Sequence, residues 1–521
     1  MTFDLKITGG LVLDGTGAPG RTTDIGIAGD RIAAIGDLEA VDARQVISAA
    51  GCYVCPGFID VHSHSDAYLL IEPSAPSKIY QGVTTEVVGN CGASAAPRTG
   101  AYQIPADWRE KKYPGTWSTV AEYRRLLEAA KPAVNVVLLI GHNTLRAGAM
   151  GYEGRPATAE EVRRMTDLLA QALDEGGAGL STGLIYAPGL FAERGEILAL
   201  ARLAAQREKI YTSHMRSEGG QLLEAIEETL GVNRETGVRV EISHLKTAGR
   251  NNWSKVDAAL ALIRHARDKG QDVAADRYPY TASSTDLDVV LPDWAAEGGR
   301  ESILKRLRDP ATRARLREEL VQRRDATYWN SVLIGSTFKP ENERFKGMPL
   351  VEAARQLGSE PVDAALHLMD TDELHTGAIF FGMSEENMEK ILREPYVMIG
   401  SDASLRSPQG PLSQDHPHPR AYGTFPKLLR AALDGAIVPL PEMVRKMTSL
   451  PAQHFRLKDR GRLQPGSFAD VIVFDPGEVR DNATYAHPHQ LASGLRTVCV
   501  NGRMVLNEGK FTGTRSGRFL D

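Results

Sequence analysis

The hydrophobic pattern changes twice along the chain. Residues 1–55 and 456–521 contain short apolar runs separated by Gly and Asp, a pattern typical of β-hairpins. Asn501-Gly502, between two apolar runs, predicts a tight hairpin turn. Because neither end has enough strands to be stable alone, we expect residues 1–55 and 456–521 to pair into one small β-sandwich domain.

Between these ends, strand-like apolar segments alternate with amphipathic helical segments such as residues 159–175. The strand-like segments cover residues 58–61, 85–89, 135–140, 178–181, 210–213, 238–243, 272–276 and 396–400. Eight such units predict an α/β fold, a (β/α)₈ TIM barrel over residues 56–455. The seventh and eighth segments are too far apart for one helix, so we expect an inserted lid or subdomain at about residues 285–345.

Composition excludes several classes of protein. The 521 residues carry a net charge of −5 without a dominant basic stretch, so a nucleic-acid partner is not expected. No apolar run of eighteen or more residues occurs, so we expect no membrane span. The first residues do not resemble a signal peptide, which predicts a cytoplasmic protein with reduced cysteines.

Two histidines follow the first barrel segment, in the sequence Gly57-Phe58-Ile59-Asp60-Val61-His62-Ser63-His64. On a strand, residues two apart point to the same face, so His62 and His64 would converge where the strand ends. Two neutral imidazoles in that position suit a divalent metal such as zinc. The alternative is a chance pair of histidines on a solvated strand end.

Other strand ends carry further metal-ligand types. Cys91 follows the second segment, His214 the fifth, His244 the sixth and Asp402 the eighth. Each alone has a structural interpretation, as a buried thiol, a hydrogen-bonded imidazole or a capping carboxylate. Because active sites of (β/α)₈ barrels lie at the carboxyl ends of the strands, their joint occurrence favours a metal site. We interpret Cys52-Tyr53-Val54-Cys55 as structural, since no second CxxC accompanies it.

These motifs resemble the amidohydrolase superfamily, and more closely its N-acyl-D-amino-acid deacylase (D-aminoacylase) family. The segments that carry the resemblance are Pro56–His64, Gly89-Asn90-Cys91-Gly92, Ser181–Gly189, Ser243-His244-Leu245-Lys246, His416-Pro417-His418-Pro419-Arg420 and Leu463–Val471. The match spans nearly the whole chain. Hydantoinases and dihydroorotases share the barrel but have a carboxylated lysine on the fourth strand. That strand carries Ser181 and Thr182 here, which favours the deacylase.

The resemblance implies a tight Zn²⁺ site formed by Cys91, His214 and His244. His62 and His64, with Cys91 and Asp402, would form a second, weaker site. The implied reaction is hydrolysis of the amide bond of an N-acyl-D-amino acid, a small-molecule substrate with a hydrophobic side chain. Asp402 would take a proton from the attacking water and pass it to the leaving amine.

The implied substrate carries a carboxylate, which needs a cationic anchor. Arg420 suits this role best because a guanidinium pairs with a carboxylate through two hydrogen bonds, and Lys246 is a second cation. Tyr186 and Tyr278 could add hydroxyl donors. Phe380 and Met383 resemble residues that line the side-chain pocket in this family, which would make that pocket apolar.

Three alternatives remain open at this point. The first is a cyclic-amide hydrolase of the hydantoinase or dihydroorotase type, and the second is a dipeptidase that releases a C-terminal D-residue. The third is a non-enzymatic metal-binding scaffold on a decayed barrel, which would predict lost ligands, yet all six ligand positions are present. The sequence does not indicate an oligomeric state.

Overall fold

A computed structural model describes residues 2–109, 111–324 and 326–521 of the chain. Its centre is a sheet of eight parallel strands in sequential order, as expected for a (β/α)₈ barrel. The strands are buried along their whole length, which agrees with the apolar residues that each of them contains. The strands, numbered below as first to eighth, are Phe58–Asp60, Val83–Val88, Asn135–Gly141, Gly179–Gly183, Ile210–His214, Arg239–Ile242, Val273–Arg277 and Val397–Ile399.

The barrel closes where its first and eighth strands end. The Val61 amide donates to the Ile399 carbonyl oxygen at 3.4 Å, and the Asp402 amide donates to the His62 carbonyl oxygen at 2.7 Å. Both contacts lie just beyond the regular strands. The closure therefore brings the segment of His62 directly against the segment of Asp402.

Helices surround the barrel and cover its apolar strands. Helix Ala159–Asp174 begins with a capping box, in which Thr158 and Glu161 satisfy each other's backbone amides. The helices of at least eight residues around the barrel are Val120–Ala130, His142–Met150, Ala159–Asp174, Arg194–Gln206, Leu222–Thr236, Val256–Asp268, Glu385–Arg393, Arg420–Leu433 and Leu440–Met447. Shorter helices are Pro76–Ile79, Ala106–Arg109 and Ser449–His454.

The two chain ends share one nine-stranded sheet with its own core. Tyr53–Pro56 joins them, because it pairs with Phe3–Val12 on one side and with Val471–Phe474 on the other. The remaining strands are Arg21–Ala28, Arg31–Gly36, Ala43–Ser48, Leu495–Val500, Arg503–Asn507 and Lys510–Phe511. The last strand of the chain, Phe519–Leu520, pairs instead with the third barrel strand.

An inserted subdomain lies between the seventh and eighth barrel strands. Its antiparallel strands Ala282–Asp286, Val332–Ile334 and Gly377–Phe381 form a separate sheet, with Gly377–Phe381 in the centre. The inserted elements therefore run beyond the predicted residues 285–345, because a strand near residue 380 pairs back to one near residue 284. The inserted helices are Asp293–Ala296, Gly299–Arg308, Pro310–Arg323, Ala326–Trp329, Leu350–Leu357 and Pro361–Thr371.

Two further findings concern the chain as a whole. Among the described residues, the structure contains no helix that is both long and apolar enough to cross a membrane. All four cysteines, Cys52, Cys55, Cys91 and Cys499, are free thiols. Cys55 lies in strand Tyr53–Pro56 of the terminal sheet, and Cys52 directly precedes that strand. Both pack against apolar residues, which agrees with their structural interpretation.

Candidate active site

A cavity of about 1730 Å³ opens at the carboxyl ends of the barrel strands, beneath the inserted subdomain. Active sites of this fold lie at that face of the barrel. The cavity brings together ten of the site residues that the sequence predicts, namely His64, Cys91, Tyr186, His214, His244, Lys246, Phe380, Met383, Asp402 and Arg420. His62 and Tyr278 are fully buried directly behind this wall.

One group of side chains consists of Cys91, His214 and His244. One ligand atom from each lies within 4.8 Å of the others, which is close enough to hold a single metal ion. The Sγ atom of Cys91 lies 3.4 Å from Nε2 of His244. Both ring nitrogens of His214 are buried and have no hydrogen-bond partner among the described residues. Buried polar atoms are normally satisfied, so this imidazole is poised for a ligand that the protein itself does not supply.

A second group consists of His62, His64, Cys91 and Asp402. Nε2 of His62 lies 3.2 Å from Sγ of Cys91, and Nε2 of His64 lies 3.2 Å from Oδ1 of Asp402. His62 and His64 do converge, although both lie beyond the end of the first strand at Asp60. Cys91 belongs to both groups, so its thiolate would be a ligand for a metal ion held at either of them.

The electrostatic environment favours a thiolate at Cys91. Burial alone would raise the pKa of the Cys91 thiol, but the imidazoles of His62, His244 and His214 lower it well below its usual value. A thiolate is the form of cysteine that binds metals. The low pKa therefore agrees with the position of Cys91 between the two groups.

Three of these residues have a strained backbone. Cys91, His244 and Asp402 have φ angles of 53°, 37° and 51°, in the left-handed region that non-glycine residues rarely adopt. Such conformations cost on the order of 1–3 kcal/mol each and cluster at functional sites. His244 and Lys246 both follow the end of the sixth strand at Ile242.

Two carboxylates that the sequence did not reveal orient the histidines. Glu218 lies 2.9 Å from Nδ1 of His244 and also pairs with Lys246, whose Nζ lies 2.8 Å from the same ring nitrogen. Asp276 lies 3.1 Å from Nδ1 of His62. A carboxylate on one ring nitrogen directs the other nitrogen towards a metal and fixes the tautomer. The only signal in the sequence was position, since Glu218 follows His214 by four residues and Asp276 lies near the end of the seventh strand.

Beneath the site, a buried lysine ties the first strand to the eighth. Nζ of Lys78 lies 2.9 Å from Asp60 and 3.1 Å from Glu86, and it donates to the Ala403 carbonyl oxygen at 3.1 Å. Asp60 in turn accepts from the amide and hydroxyl groups of Ser401. All these side chains are fully buried or nearly so. The network fixes the backbone on both sides of Asp402, and no local pattern in the sequence predicts it.

Asp402 is paired with Arg420, which begins helix Arg420–Leu433. The guanidinium donates to Oδ2 of Asp402 at 2.6 Å and to the Ser284 carbonyl oxygen at 3.1 Å. Burial would raise the pKa of Asp402, but Arg420, His244 and His64 lower it well below its usual value. The carboxylate is therefore held in its ionised form, ready to accept a proton.

The other predicted substrate-binding residues surround this pair. Lys246 is buried and ion-paired with Glu218, and the Tyr186 hydroxyl lies 3.3 Å from the hydroxyl of Thr285. The Tyr278 ring lies 4.7 Å below the Arg420 guanidinium, and its buried hydroxyl has no hydrogen-bond partner among the described residues. The guanidinium of Arg277 donates to the sulfur atom of Met383 at 3.2 Å. Met383 and Phe380 both line the cavity.

Soft and borderline ligands, an ionised acid and an open cavity at the mouth of a (β/α)₈ barrel define a metal-dependent hydrolase. The sequence matches the amidohydrolase family over residues 45–316 and 355–506. It is 40% identical to a D-aminoacylase of Alcaligenes xylosoxydans xylosoxydans over 520 residues, covering 99% of this chain and 97% of that protein. The chain therefore belongs to the amidohydrolase family, and within it to the D-aminoacylase group.

Two further relatives extend the comparison. An N-acyl-D-glutamate deacylase of Alcaligenes xylosoxydans xylosoxydans is 39% identical, over 99% of this chain and 96% of that protein. The crystal structure of N-acyl-D-glutamate deacylase from Bordetella bronchiseptica, in complex with zinc and a phosphonate inhibitor, superposes with a TM-score of 0.86. That protein is 38% identical, and the match covers 100% of both chains.

Proposed function

We propose that the protein is a zinc-dependent hydrolase that cleaves N-acyl-D-amino acids to a carboxylate and a free D-amino acid. The observation that carries the proposal is the group of Cys91, His214 and His244 beside the ionised carboxylate of Asp402. Full-length similarity to a D-aminoacylase and to deacylases of acidic D-amino acids supports the class of substrate.

The donor set fits zinc. One thiolate and two imidazoles are common zinc ligands, and three protein ligands leave a position open for catalysis. We assign the tight site to Cys91, His214 and His244, and a second, weaker site to His62 and His64 with Cys91 and Asp402. Zinc held by these side chains supplies Lewis-acid chemistry, because it polarises a carbonyl group and lowers the pKa of a water molecule.

Asp402 is the residue to which we assign proton transfer. Its Oδ1 atom faces His64 and His62 at 3.2 and 3.5 Å, while Oδ2 is held by Arg420. Oδ1 is thus the oxygen directed towards the reacting centre, where it accepts a proton from the attacking water. The same oxygen then delivers that proton to the amide nitrogen, which is a poor leaving group until it is protonated.

The substrate carboxylate is the only fixed charge on an N-acyl amino acid with an apolar side chain. We assign its recognition to Arg420, with Lys246, Tyr186 and Tyr278 as further donors around it. The Tyr278 ring supports this assignment by its position, because it packs against the Arg420 guanidinium at 4.7 Å from behind the cavity wall. Phe380 and Met383 line the cavity and would favour a hydrophobic side chain.

Replacing Arg420 by alanine should reduce kcat/KM for N-acetyl-D-leucine by about 30-fold or more, since losing one partner of a buried charge pair costs roughly 2–5 kcal/mol. The loss should be much smaller for the corresponding amide, which has no carboxylate to pair. Removing the main attractive charge should also raise the pKa of Asp402, so the acid limb of the pH–rate profile should move to higher pH. Equal losses for acid and amide would assign the anchor to Lys246 instead.

Glu218→Gln should weaken zinc binding by about 10- to 100-fold, because the amide no longer accepts strongly from Nδ1 of His244. Chelator competition measures the affinity, and added zinc should restore part of the activity. Glu228→Gln is the matched control, since Glu228 pairs with Arg216 in the same region and does not contact a histidine of the site. Unchanged zinc affinity in Glu218→Gln would refute the orienting role.

A substrate panel tests the function itself. We expect zinc-loaded protein to hydrolyse N-acetyl-D-leucine, N-acetyl-D-methionine and N-acetyl-D-phenylalanine, and to act at least 100-fold more slowly on their L-enantiomers. A hydantoin and an L-Xaa-D-Xaa dipeptide belong in the same assay. Faster hydrolysis of the hydantoin would establish a cyclic-amide hydrolase, and faster cleavage of the dipeptide would establish a dipeptidase. If none of these substrates were hydrolysed, the non-enzymatic metal-binding scaffold would be the remaining interpretation.

We also assign the protein to the cytoplasm, where its substrate would be a free metabolite. Its four unpaired thiols support a reducing compartment. Neither a nucleic acid nor a membrane is proposed as a partner. Cell fractionation with an antibody against the protein tests the location.

A further inference from the structure

A second cavity, of about 510 Å³, lies at the opposite end of the barrel from the active site. It is bordered by the beginnings of the sixth, seventh and eighth strands and by helices Leu440–Met447 and Ser449–His454. Arg239, at the start of the sixth strand, is five residues before His244. At about 3.3 Å per residue, the two cavities are therefore on the order of 15 Å apart.

Four arginines line this cavity, and we call them the basal arginine cluster: Arg239, Arg267, Arg445 and Arg456. Arg445 is paired with Glu442 and Arg456 with Glu208. Among the described residues, Arg239 and Arg267 form no ion pair with a carboxylate. The Arg239 guanidinium donates to the Glu208 carbonyl oxygen, and that of Arg267 donates to the Val273 carbonyl oxygen. The cluster thus includes two guanidinium groups without direct charge compensation.

Arg239 is the most informative member of the cluster. It is only 8% exposed, and its Nε atom is buried without a hydrogen-bond partner among the described residues. A buried charged group is normally both paired and hydrogen-bonded, because desolvation is otherwise costly. The environment also works against its charge, since burial and the neighbouring Arg456 lower the pKa of Arg239.

The other ionisable groups do not balance the cluster. The Asp272 side chain is 62% exposed, on the solvent side, and lies 3.7 Å from Nδ1 of His454. His454 is neutral, because burial and the nearby Arg239 hold its pKa at about 3. Asp272 is the one carboxylate among the residues that line the cavity, against four arginines, and the partners of Arg445 and Arg456 lie outside this lining.

We propose that the basal cavity binds a phosphate group. Guanidinium groups match the geometry of phosphate oxygens and donate paired hydrogen bonds to them. A phosphate would accept hydrogen bonds from the guanidinium groups of Arg239 and Arg267, which have no carboxylate partner among the described residues, and would offset the excess positive charge of the cluster. It would also hold together the beginnings of three strands that lead to His244, Asp276 and Asp402. The site is independent of the hydrolytic reaction, so it does not rest on the proposed function.

Calorimetric titration of the zinc-loaded, full-length protein with inorganic phosphate, at constant ionic strength in chloride, tests the proposal. The wild type should bind phosphate, and Arg267→Gln should bind it at least 10-fold more weakly. Arg264→Gln is the matched control, because Arg264 is on the same helix but pairs with Glu394 and does not line the cavity. Arg264→Gln should bind phosphate as the wild type does. Arg239→Lys, which keeps the charge but loses Nε, should also weaken binding.

Phosphate can also bind at the zinc centre, so inhibition of hydrolysis by phosphate is measured in the same variants. The inhibition constant should be unchanged in Arg267→Gln, whereas the affinity of the basal cavity for phosphate, measured by calorimetry, should be at least 10-fold weaker. Phenyl phosphate distinguishes the source of the group: binding of both ligands indicates the phosphate of a larger metabolite, and binding of phosphate alone indicates the free ion. No phosphate binding, or binding that is equal in wild type and Arg267→Gln, would overturn the proposal.

Discussion

Cys91→Ala should lose its tightly held zinc and its hydrolytic activity together. Cys91 is the one residue shared by both potential metal-binding groups, at 3.2 Å from His62 and 3.4 Å from His244. Its neighbours lower the pKa of the thiol, so a thiolate is available as a strong ligand. Without it, two imidazoles remain at the tight site, and we expect zinc to fall from about one ion per chain to a small fraction of that, with activity reduced at least 1000-fold.

Metal analysis and steady-state kinetics on the same preparation measure both effects. Cys52→Ala is the matched control for loss of a thiol, since Cys52 is partly exposed in the terminal domain and should keep its zinc and activity. Circular dichroism should show that Cys91→Ala remains folded, because the barrel core does not depend on this side chain. If Cys91→Ala retained zinc and full activity, the thiolate would not be a ligand.

Asp402→Asn should keep its tight zinc and lose most of its turnover. The tight site contains only Cys91, His214 and His244, so removing one negative charge from Asp402 should leave zinc content near that of the wild type. The amide cannot accept and return a proton as the carboxylate does. General acid–base catalysis contributes about 10²- to 10⁴-fold in rate, and we expect kcat to fall by that factor.

Asp415→Asn is the matched control for this substitution. Asp415 lines the same cavity and pairs with Arg406 at 2.6 Å, as Asp402 pairs with Arg420, but it belongs to neither metal-binding group. Its variant should retain kcat within a few-fold. A similar kcat for Asp402→Asn would show that proton transfer occurs elsewhere, and loss of zinc in that variant would show that Asp402 is a ligand of the tight site.

The barrel was predictable because its signals are local. The strands contain buried apolar residues and the helices between them are amphipathic, so their alternation is visible in the local sequence. The positions of Cys91, His214, His244 and Asp402 followed from the same order, since the carboxyl ends of all strands in a barrel open on one face. The prediction of the fold is confirmed, and the roles of the site residues stay predictions.

The pairing of these residues was not predictable, because it depends on contacts between distant segments. Glu218 reaches His244, and Lys78 reaches Asp60 and the carbonyl group of Ala403, only after separate strands are brought side by side. Such contacts have no periodicity in the sequence. In the sequence, Lys78 looks like an ordinary helical lysine, because its carboxylate partners come from other segments of the chain.

The left-handed backbone at Cys91, His244 and Asp402 was also not predictable from the sequence. None of the three is glycine, and although Asp and His adopt positive φ more often than most residues, their type alone does not predict it at these positions. The limits of the inserted subdomain were likewise decided by long-range pairing of Gly377–Phe381 with Ala282–Asp286. Local hydrophobic pattern therefore determined the elements and their order, whereas tertiary packing determined which charges meet and how the metal-binding side chains are aimed.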